Sequence, residues 1–543
     1  MKVLKQGNKG LLLALFVALI FRSGTELMFP KFVSDYSLQI EAARNFMDGN
    51  GFTFGRANPD NLSEIRFSTL SAWPVGYPML LVPFYALTGS SLGAQLGLQA
   101  FAALCFVVFF HLLLRYFRVP DKVHTLALLF VAITPTPFFY LGPSDLISAA
   151  LFLGMTLFFL KSADNPGKLI WPVLIGFFAF LSAVTRYACI PNIVIFPLLF
   201  GLGFLFLRNK KWLFNAFLTF FLSGVLTLAF FFYFPIASSR TGFLNNLLEL
   251  NLFWKHLLWF DPFPVHAVFF SRPIEYRLPD VALLLKGYRL TIFLFGALIF
   301  VAVSLQLFRK SGIKTFLPKI NPGITRGGWL LLVLLMSTLV ISSFLILQSL
   351  TTPPESNSFG PSWMPPFWTF VYSTRYFVIP MVLILFVFFV EWGFDKLGKW
   401  SRSLINFFFR LSMIWSLGDF FFINYQFFWG NGGGSEWNHK GEEIGHYRKL
   451  EALKSKDKDR IFVLLSPEYN EKSAPVMFHS AAYPCVFPDS ALRAGLKCDD
   501  NTRLFLYLSK DSLVPFSPLL STRDAKVVSA GNERILFSLN CGK

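Results

Sequence analysis

The sequence predicts an all-α polytopic membrane protein with about 11 transmembrane helices and a small C-terminal α/β domain outside the cytoplasm. Of its 543 residues, 54% are hydrophobic and only 15% are charged, whereas soluble domains carry roughly 25% charged residues. Apolar runs of about 20 residues, long enough to cross a bilayer, recur along the chain. Lys and Arg fall in short clusters between these runs. Together these three features predict the fold class.

The apolar runs are read as transmembrane spans. They lie near residues 10–29, 91–114, 123–138, 144–160, 169–186, 190–207, 212–236, 289–308, 328–349, 376–394 and 404–428. The first run follows basic residues as a signal peptide does, but it lacks a small-residue cleavage site and more apolar runs follow. We therefore interpret it as a retained first span.

The basic clusters determine the predicted orientation. With the N-terminus inside, all five fall on the cytoplasmic side, as the positive-inside rule requires; they are Arg115/Arg118/Lys122, Lys161/Lys168, Arg208/Lys210/Lys211, Arg309/Lys310/Lys314/Lys319/Arg326 and Lys396/Lys399/Arg402. The prediction is a multi-pass protein of the plasma (inner) membrane. The net charge of +18 is thereby explained without nucleic acid, which is not predicted as a partner.

Residues 30–90, 237–288 and 350–375 and the tail from 430 then lie outside the cytoplasm. We predict a transmembrane domain over 1–429 and a soluble α/β domain over 430–543, with a polar helix near 440–455 and strands at 460–465, 503–508, 525–529 and 534–539. Cys485 and Cys498 fall in this domain. A disulfide between them is chemically permitted there, and free thiols are the alternative.

The first outer loop is the most informative segment. Tyr36, Ile40, Ala43 and Met47 recur at helical spacing, which predicts a short amphipathic juxtamembrane helix lying on the membrane surface. Gly49 and Gly51 are expected to end this helix, with Trp73, Tyr77 and Tyr85 as aromatic anchors at the same depth.

Two acidic residues stand at predicted helix starts on the outer side. Asp35 opens the first-loop helix and Asp145 opens the fourth span. Capping is the ordinary role of Asp at such a position. The Asp35 carboxylate could also act as a general base toward an acceptor hydroxyl or amine. The two roles are compatible, because a capping Asp is also rigidly aimed.

Several motifs resemble the type C glycosyltransferases, multispanning enzymes that include protein O-mannosyltransferases and lipid A aminoarabinose transferases. In the first loop these are Asp35-Tyr36, Ala43-Arg44-Asn45-Phe46, Gly49-x-Gly51-Phe52 and Trp73-Pro74-Val75-Gly76-Tyr77-Pro78. Further along they are Pro143-Ser144-Asp145, Thr185-Arg186-Tyr187 and Ser373-Thr374-Arg375-Tyr376, followed by Pro380. Val75 replaces a common Pro of the family pattern, and Tyr36 occupies a position that is often acidic.

The resemblance implies a glycosyltransferase that moves a sugar from a polyprenyl-phosphate donor to an extracytoplasmic lipid, glycan or protein, with inversion. It implies Asp35 and Asp145 as catalytic residues. Arg375, Arg186 and Arg240 are expected to bind the donor phosphate, since the guanidinium fork suits phosphate; snorkelling to headgroups is their ordinary alternative. Expected substrate contacts are Tyr36, Trp73, Tyr77 and Tyr376.

No cofactor is predicted. A divalent metal ion is possible but unsupported, because Tyr36 stands where the family pattern often has a second carboxylate. Membrane lipid is an expected partner besides the donor and the acceptor. The alternative function is a lipid-linked sugar flippase or other secondary transporter, which predicts paired broken helices with mid-membrane polar residues; an envelope scaffold would leave the first-loop pattern unexplained. No P-loop, dinucleotide fingerprint or Gly-x-Ser-x-Gly motif is present.

Overall fold

The computed structural model describes residues 9–21, 34–58, 61–70, 73–133, 143–234, 326–351 and 378–393, together with parts of the tail between 446 and 539. These residues form two compact units. The first comprises residues 1–23 and 99–421, and the second comprises residues 24–98 and 422–543.

Helices dominate the part of the chain before the tail. They are α1 (Lys9–Phe21), α2 (Ser34–Met47), α3 (Gly76–Thr88), α4 (Ser91–Tyr116), α5 (Asp121–Ile133), α6 (Pro143–Asp164), α7 (Ile170–Thr185), α8 (Asn192–Leu207), α9 (Lys210–Tyr233), α10 (Arg326–Thr351) and α11 (Val378–Gly393). A short 3₁₀ turn, Tyr187–Cys189, joins α7 to α8.

Five of the described helical segments are long and apolar enough to cross a membrane: those in α4, α6, α8 with its preceding turn, α9 and α10. The chain is therefore a membrane protein. The shorter α1 and α7 are also apolar, and α5 and α11 coincide with further predicted runs. The runs at 289–308 and 404–428 lie outside the described residues, so the total of about 11 spans stays a prediction.

Helix α6 lies at the centre of the first unit. It packs against α7, α10 and α11. Of its most apolar 18-residue stretch, 83% is buried, compared with 17% of the corresponding stretch of α9. Helix α9 instead turns large apolar side chains outward, namely Phe217, Phe220, Phe221 and Leu228. Such a surface is stable in contact with lipid, because lipid tails are as apolar as the side chains themselves.

Polar contacts join the basic ends of three helices. The guanidinium of Arg326, at the start of α10, donates two hydrogen bonds of 3.3 and 2.9 Å to Asp164 at the end of α6. The same guanidinium lies 4.5 Å from the ring centroid of Tyr116 at the end of α4, and the Tyr116 hydroxyl donates to the carbonyl of Leu160 (3.1 Å). The basic clusters flanking α4, α6 and α10 thus share one end of the bundle. Its cytoplasmic orientation stays a prediction.

The second unit contains the first loop. Helices α2 and α3 pack around an apolar core formed by Ile40, Ala43, Tyr77, Leu81, Ala94 and Leu98. Strands β1 (Thr53–Asn58) and β2 (Asn61–Thr69) form an antiparallel hairpin that pairs Thr53 with Thr69 and Gly55 with Phe67. The sequence predicted helices in this loop but not the β1–β2 hairpin.

The tail forms a five-stranded mixed sheet. Its strands are β3 (Arg460–Leu465), β4 (Tyr483–Val486), β5 (Thr502–Ser509), β6 (Lys526–Ala530) and β7 (Arg534–Leu539), in the order β4-β3-β5-β7-β6. Strand β3 is parallel to β4 and β5, and β7 is antiparallel to β5 and β6. The four predicted strands are present, and β4 is additional. Most of the predicted helix at 440–455 lies outside the described residues, as does Cys498, so the disulfide stays open.

Strand β1 of the first-loop hairpin contacts β4 at the edge of the tail sheet. The two segments are separated by more than 400 positions in the sequence, yet both belong to the second unit. The sheet edge is the surface at which a strand has unpaired backbone groups. The tail is therefore in contact with the hairpin that supports α2.

Candidate functional site

Asp35 lies in the first turn of α2, which begins at Ser34. It is thus inside the helix and not at the N-cap position that the sequence predicted. A carboxylate in the first turn is still favoured by the helix dipole. The side chains of Asp35 and Tyr36 lie outside the described part of the structure, so their roles as base and substrate contact stay predictions.

The polar face of α2 is buried. This corrects the prediction of a helix on the membrane surface whose polar face is exposed to water. Glu41, Arg44 and Asn45 are 0%, 3% and 0% exposed, whereas Met47, predicted on the buried face, is 44% exposed. The reason is the hairpin, since β1 packs on α2. The predicted ends at Gly49 and Gly51 are confirmed, and both glycines have positive φ (84° and 70°), which favours glycine.

Glu41 is the centre of the contact between α2 and β1. Its Oε1 accepts a 2.8 Å hydrogen bond from the backbone N–H of Gly55. Arg44 lies 3.8 Å from Oε1, and Arg56 lies 3.6 Å from Oε2. Burial raises the pKa of the Glu41 carboxyl, while the two arginines and the Gly55 N–H act in the opposite direction. The carboxylate therefore fixes the helix to the strand at some cost in desolvation.

Two further contacts fix the same joint. The side-chain amide of Asn45 donates a 2.9 Å hydrogen bond to the carbonyl of Thr53, and the rings of Phe46 and Phe52 stack with centroids 4.3 Å apart. These contacts and the Glu41 bonds occupy consecutive turns of α2. The helix that carries Asp35 is thereby held against the hairpin along its C-terminal half.

The aromatic residues of the Trp73–Pro78 segment differ in exposure. Trp73 is half-buried, and Tyr77 is fully buried in the core between α2 and α3. Tyr77 is therefore a packing residue and not the membrane-surface anchor that the sequence predicted. Contacts of Trp73 and Tyr77 with substrate stay predictions.

In the first unit, Asp145 and Arg186 form an ion pair. Asp145 lies in the first turn of α6, and Arg186 directly follows the last turn of α7, with an extended backbone (φ −157°, ψ 124°). The Asp145 side chain is 0% exposed and that of Arg186 is 13% exposed. Two residues of the predicted site are thus brought together. They lie at the N-terminal end of α6, and Asp164 lies at the other end of the helix, about 30 Å away along its axis.

Other buried polar side chains continue from this pair. Ser148 lies one turn beyond Asp145 on α6 and is 3% exposed. Ser182 lies one turn before Arg186, and its hydroxyl accepts a 2.9 Å hydrogen bond from the amide of Asn192, the first residue of α8. We call Asp145, Ser148, Ser182, Arg186 and Asn192 the polar layer. Sequence reasoning missed Ser148, Ser182 and Asn192, since single Ser and Asn residues in apolar runs carry no motif.

Arg240, Arg375 and Tyr376 lie outside the described residues, and their roles stay predictions. Asp35 belongs to the second unit, and Asp145 and Arg186 belong to the first. Among the described residues, no group of three or more His, Cys, Asp or Glu side chains is arranged to hold a metal ion.

Comparison with known proteins gives matches to solved structures alone. No family model matches the chain, and no curated protein matches it. The chain is similar to ArnT from Cupriavidus metallidurans in the apo state, with a TM-score of 0.44 and 14% identity over 98% of this chain and 96% of that one.

It is also similar to the Archaeoglobus fulgidus oligosaccharyltransferase in its apo form (TM-score 0.44, 13% identity, 93% of this chain and 69% of that one). A further match is the archaeal oligosaccharyltransferase AglB from the same organism in complex with an inhibitory peptide and a dolichol-phosphate (TM-score 0.43, 13% identity, 89% and 65%).

Proposed function

We propose that this protein is a membrane glycosyltransferase that moves a sugar from a polyprenyl-phosphate donor to an acceptor outside the cytoplasm. The observation that carries the proposal is the anchored helix α2. It starts one residue before Asp35 of the family-like motif and is fixed to β1 by the buried Glu41–Gly55 hydrogen bond. A catalytic group needs such a rigid element, because small displacements of a reacting group lower the rate steeply.

The proposed reaction is a displacement at the anomeric carbon. An acceptor hydroxyl or amine attacks that carbon, and the bond from the carbon to the phosphate oxygen breaks. The bonding electrons leave with the polyprenyl phosphate, and the acceptor proton passes to the Asp35 carboxylate. Attack opposite the leaving group inverts the anomeric configuration.

The departing phosphate gains negative charge, which a cation should stabilise. Arg375 is our first choice for this role, because its planar fork offers paired donors to phosphate oxygens. Arg240 is a further candidate. Arg186 is less suitable, since the Asp145 carboxylate already balances its charge.

The test is replacement of Asp35 by Asn in the full chain, purified in detergent and assayed with polyprenyl-phosphate sugars. A general base contributes about 10²–10⁴-fold to rate, so D35N should lower sugar transfer by at least about 100-fold. The matched control is D48N, because Asp48 is an exposed carboxylate directly after α2. D48N should transfer sugar at the wild-type rate.

Folded D35N protein that still transfers sugar at the wild-type rate would contradict the base role of Asp35. Movement of the lipid-linked sugar across a bilayer without any covalent product would instead support the transporter alternative. Product stereochemistry, read by NMR, separates inversion from retention.

A further inference from the structure

The polar layer contains hydrogen-bonding groups that no other described residue uses. Ser148 Oγ and Asn192 Oδ1 are buried, and neither atom has a hydrogen-bond partner among the described residues. Their residues are 3% and 0% exposed. Buried polar atoms are ordinarily paired with protein or water, because an unpaired one keeps its full desolvation cost. Within the described part of the structure, these two atoms are therefore available to a polar ligand.

Contacts and helical spacing join these groups to the Asp145–Arg186 ion pair. Ser148 lies three positions after Asp145 on α6, so the two side chains share one helix face. Asn192 donates to Ser182 Oγ (2.9 Å), and the backbone N–H of Arg186 donates to the Ser182 carbonyl (3.2 Å). The polar layer thus combines side chains from α6, the end of α7 and the start of α8.

The charge of the layer indicates what it could bind. Asp145 and Arg186 neutralise each other within the layer, which makes it a poor site for a phosphate carrying its own negative charge. The remaining groups are a hydroxyl, which donates and accepts, and an amide oxygen, which accepts. Sugar hydroxyls also donate and accept, and they are neutral. The chemistry therefore matches a sugar ring.

We infer that the polar layer is a sugar-binding subsite, in which Ser148 and Asn192 hydrogen-bond hydroxyls of the sugar carried by the lipid-linked donor. This inference rests on the proposed function. On this inference, Arg186 belongs to the sugar site and does not bind the donor phosphate. The Asp145–Arg186 pair orients the polar layer. Ser148 and Asn192 are then specificity residues, which select sugars by the positions of their hydroxyls.

A second Asn–Ser contact in the same unit supplies the control. Asn215 on α9 donates to Ser162 Oγ (3.3 Å) and to the Pro166 carbonyl (3.1 Å), and both side chains are 0% exposed. This contact lies near the end of α6, about 20 Å along the helix axis from Ser148. Ser162 differs from Ser148 because its hydroxyl is already bonded to a protein group.

The experiment measures binding of two kinds of lipid to the full chain in detergent. One is bare undecaprenyl phosphate. The other is the same lipid carrying mannose, glucose, galactose or aminoarabinose. S148A should weaken binding of the preferred glycosylated lipid about fivefold to tenfold, the effect of one lost hydrogen bond, and should leave the bare lipid unchanged. Its thermal unfolding midpoint should be equal to or above that of wild type, because the variant removes an unpaired buried hydroxyl. N192L should show the same selective loss.

S162A should lower the unfolding midpoint and leave both affinities at wild-type values. Equal weakening of both lipids by S148A and N192L, or no weakening at all, would overturn the subsite. These outcomes are distinct from failure of the proposed function. In that case wild-type protein would bind the glycosylated lipid selectively, in a Ser148-dependent way, without transferring its sugar.

Discussion

Replacement of Glu41 should detach α2 from the first-loop hairpin. Its carboxylate accepts from the Gly55 N–H at 2.8 Å and lies 3.8 and 3.6 Å from Arg44 and Arg56. The side chain is 0% exposed, so water cannot replace these partners in the folded state. In E41A, the Gly55 N–H is left without its acceptor, and two largely buried arginines lose a counter-charge.

The expected cost follows from these contacts. A hydrogen bond to a charged group contributes about 1.5–3 kcal/mol, and removal of one member of a buried ion pair costs about 3–5 kcal/mol. The two terms describe the same carboxylate and are not additive. We therefore expect E41A to destabilise the joint by about 3–5 kcal/mol. E41Q keeps an oxygen for Gly55 and should cost less, about 1–2 kcal/mol.

Amide hydrogen exchange at Gly55 measures this joint directly. A loss of 3 kcal/mol corresponds to about a hundredfold faster exchange, since about 1.4 kcal/mol is a factor of ten. E41Q should fall between E41A and wild type, and the exposed control D48N should match wild type. Gly55 exchange in E41A as slow as in wild type would refute the reasoning, because the Glu41 bond would then not hold the strand.

Two further predictions concern pH and packing. The folded-state pKa of Glu41 is raised above its ordinary value of 4.5, so folding favours the protonated carboxyl, and the part of the stability that depends on this preference is full below about pH 4.5 and is lost as pH rises through the folded pKa. The contacts of the ionised carboxylate remain above that pH. Wild type should therefore gain stability relative to E41Q on acidification, in thermal unfolding at a series of pH values, and a gap that shrinks on acidification would contradict this. G203A should destabilise the first unit by about 1–3 kcal/mol, because its added methyl would overlap the buried ring of Trp212. G201A is the control, with open space around its Cβ position, and equal unfolding midpoints for the two variants would contradict the packing argument.

The helical part of the fold was predictable because its signal is local. A span needs about 20 apolar residues in succession, and that requirement is visible in α4, α6, α8, α9 and α10. The strands β3, β5, β6 and β7 were also predicted, because short apolar runs bounded by polar turns mark them. In both cases the determining residues lie within the element itself.

The hairpin β1–β2 was missed because its stability depends on partners distant in sequence. Its strands contain few apolar residues in alternation, and its main fixed point is a bond between Gly55 and a glutamate 14 positions earlier. One local signal was present: Pro59-Asp60 separates the two strands, and this residue pair is typical of turns. The burial of Glu41, Arg44 and Asn45 followed from the missed hairpin, since a helix pattern alone places charged residues in water.

The pairing of Asp145 with Arg186 could have been predicted by combining topology with charge. Helices α6 and α7 are consecutive and joined by a short connection at residues 165–169, so they are antiparallel neighbours. The start of α6 and the end of α7 must then lie at one level, and a carboxylate and a guanidinium placed there will pair.

This ion pair affects the proposed mechanism. Release of Arg186 to a donor phosphate would leave the buried Asp145 uncompensated. In our proposal, Arg375 or Arg240 therefore binds the donor phosphate, and the Asp145–Arg186 pair orients the polar layer that binds the sugar.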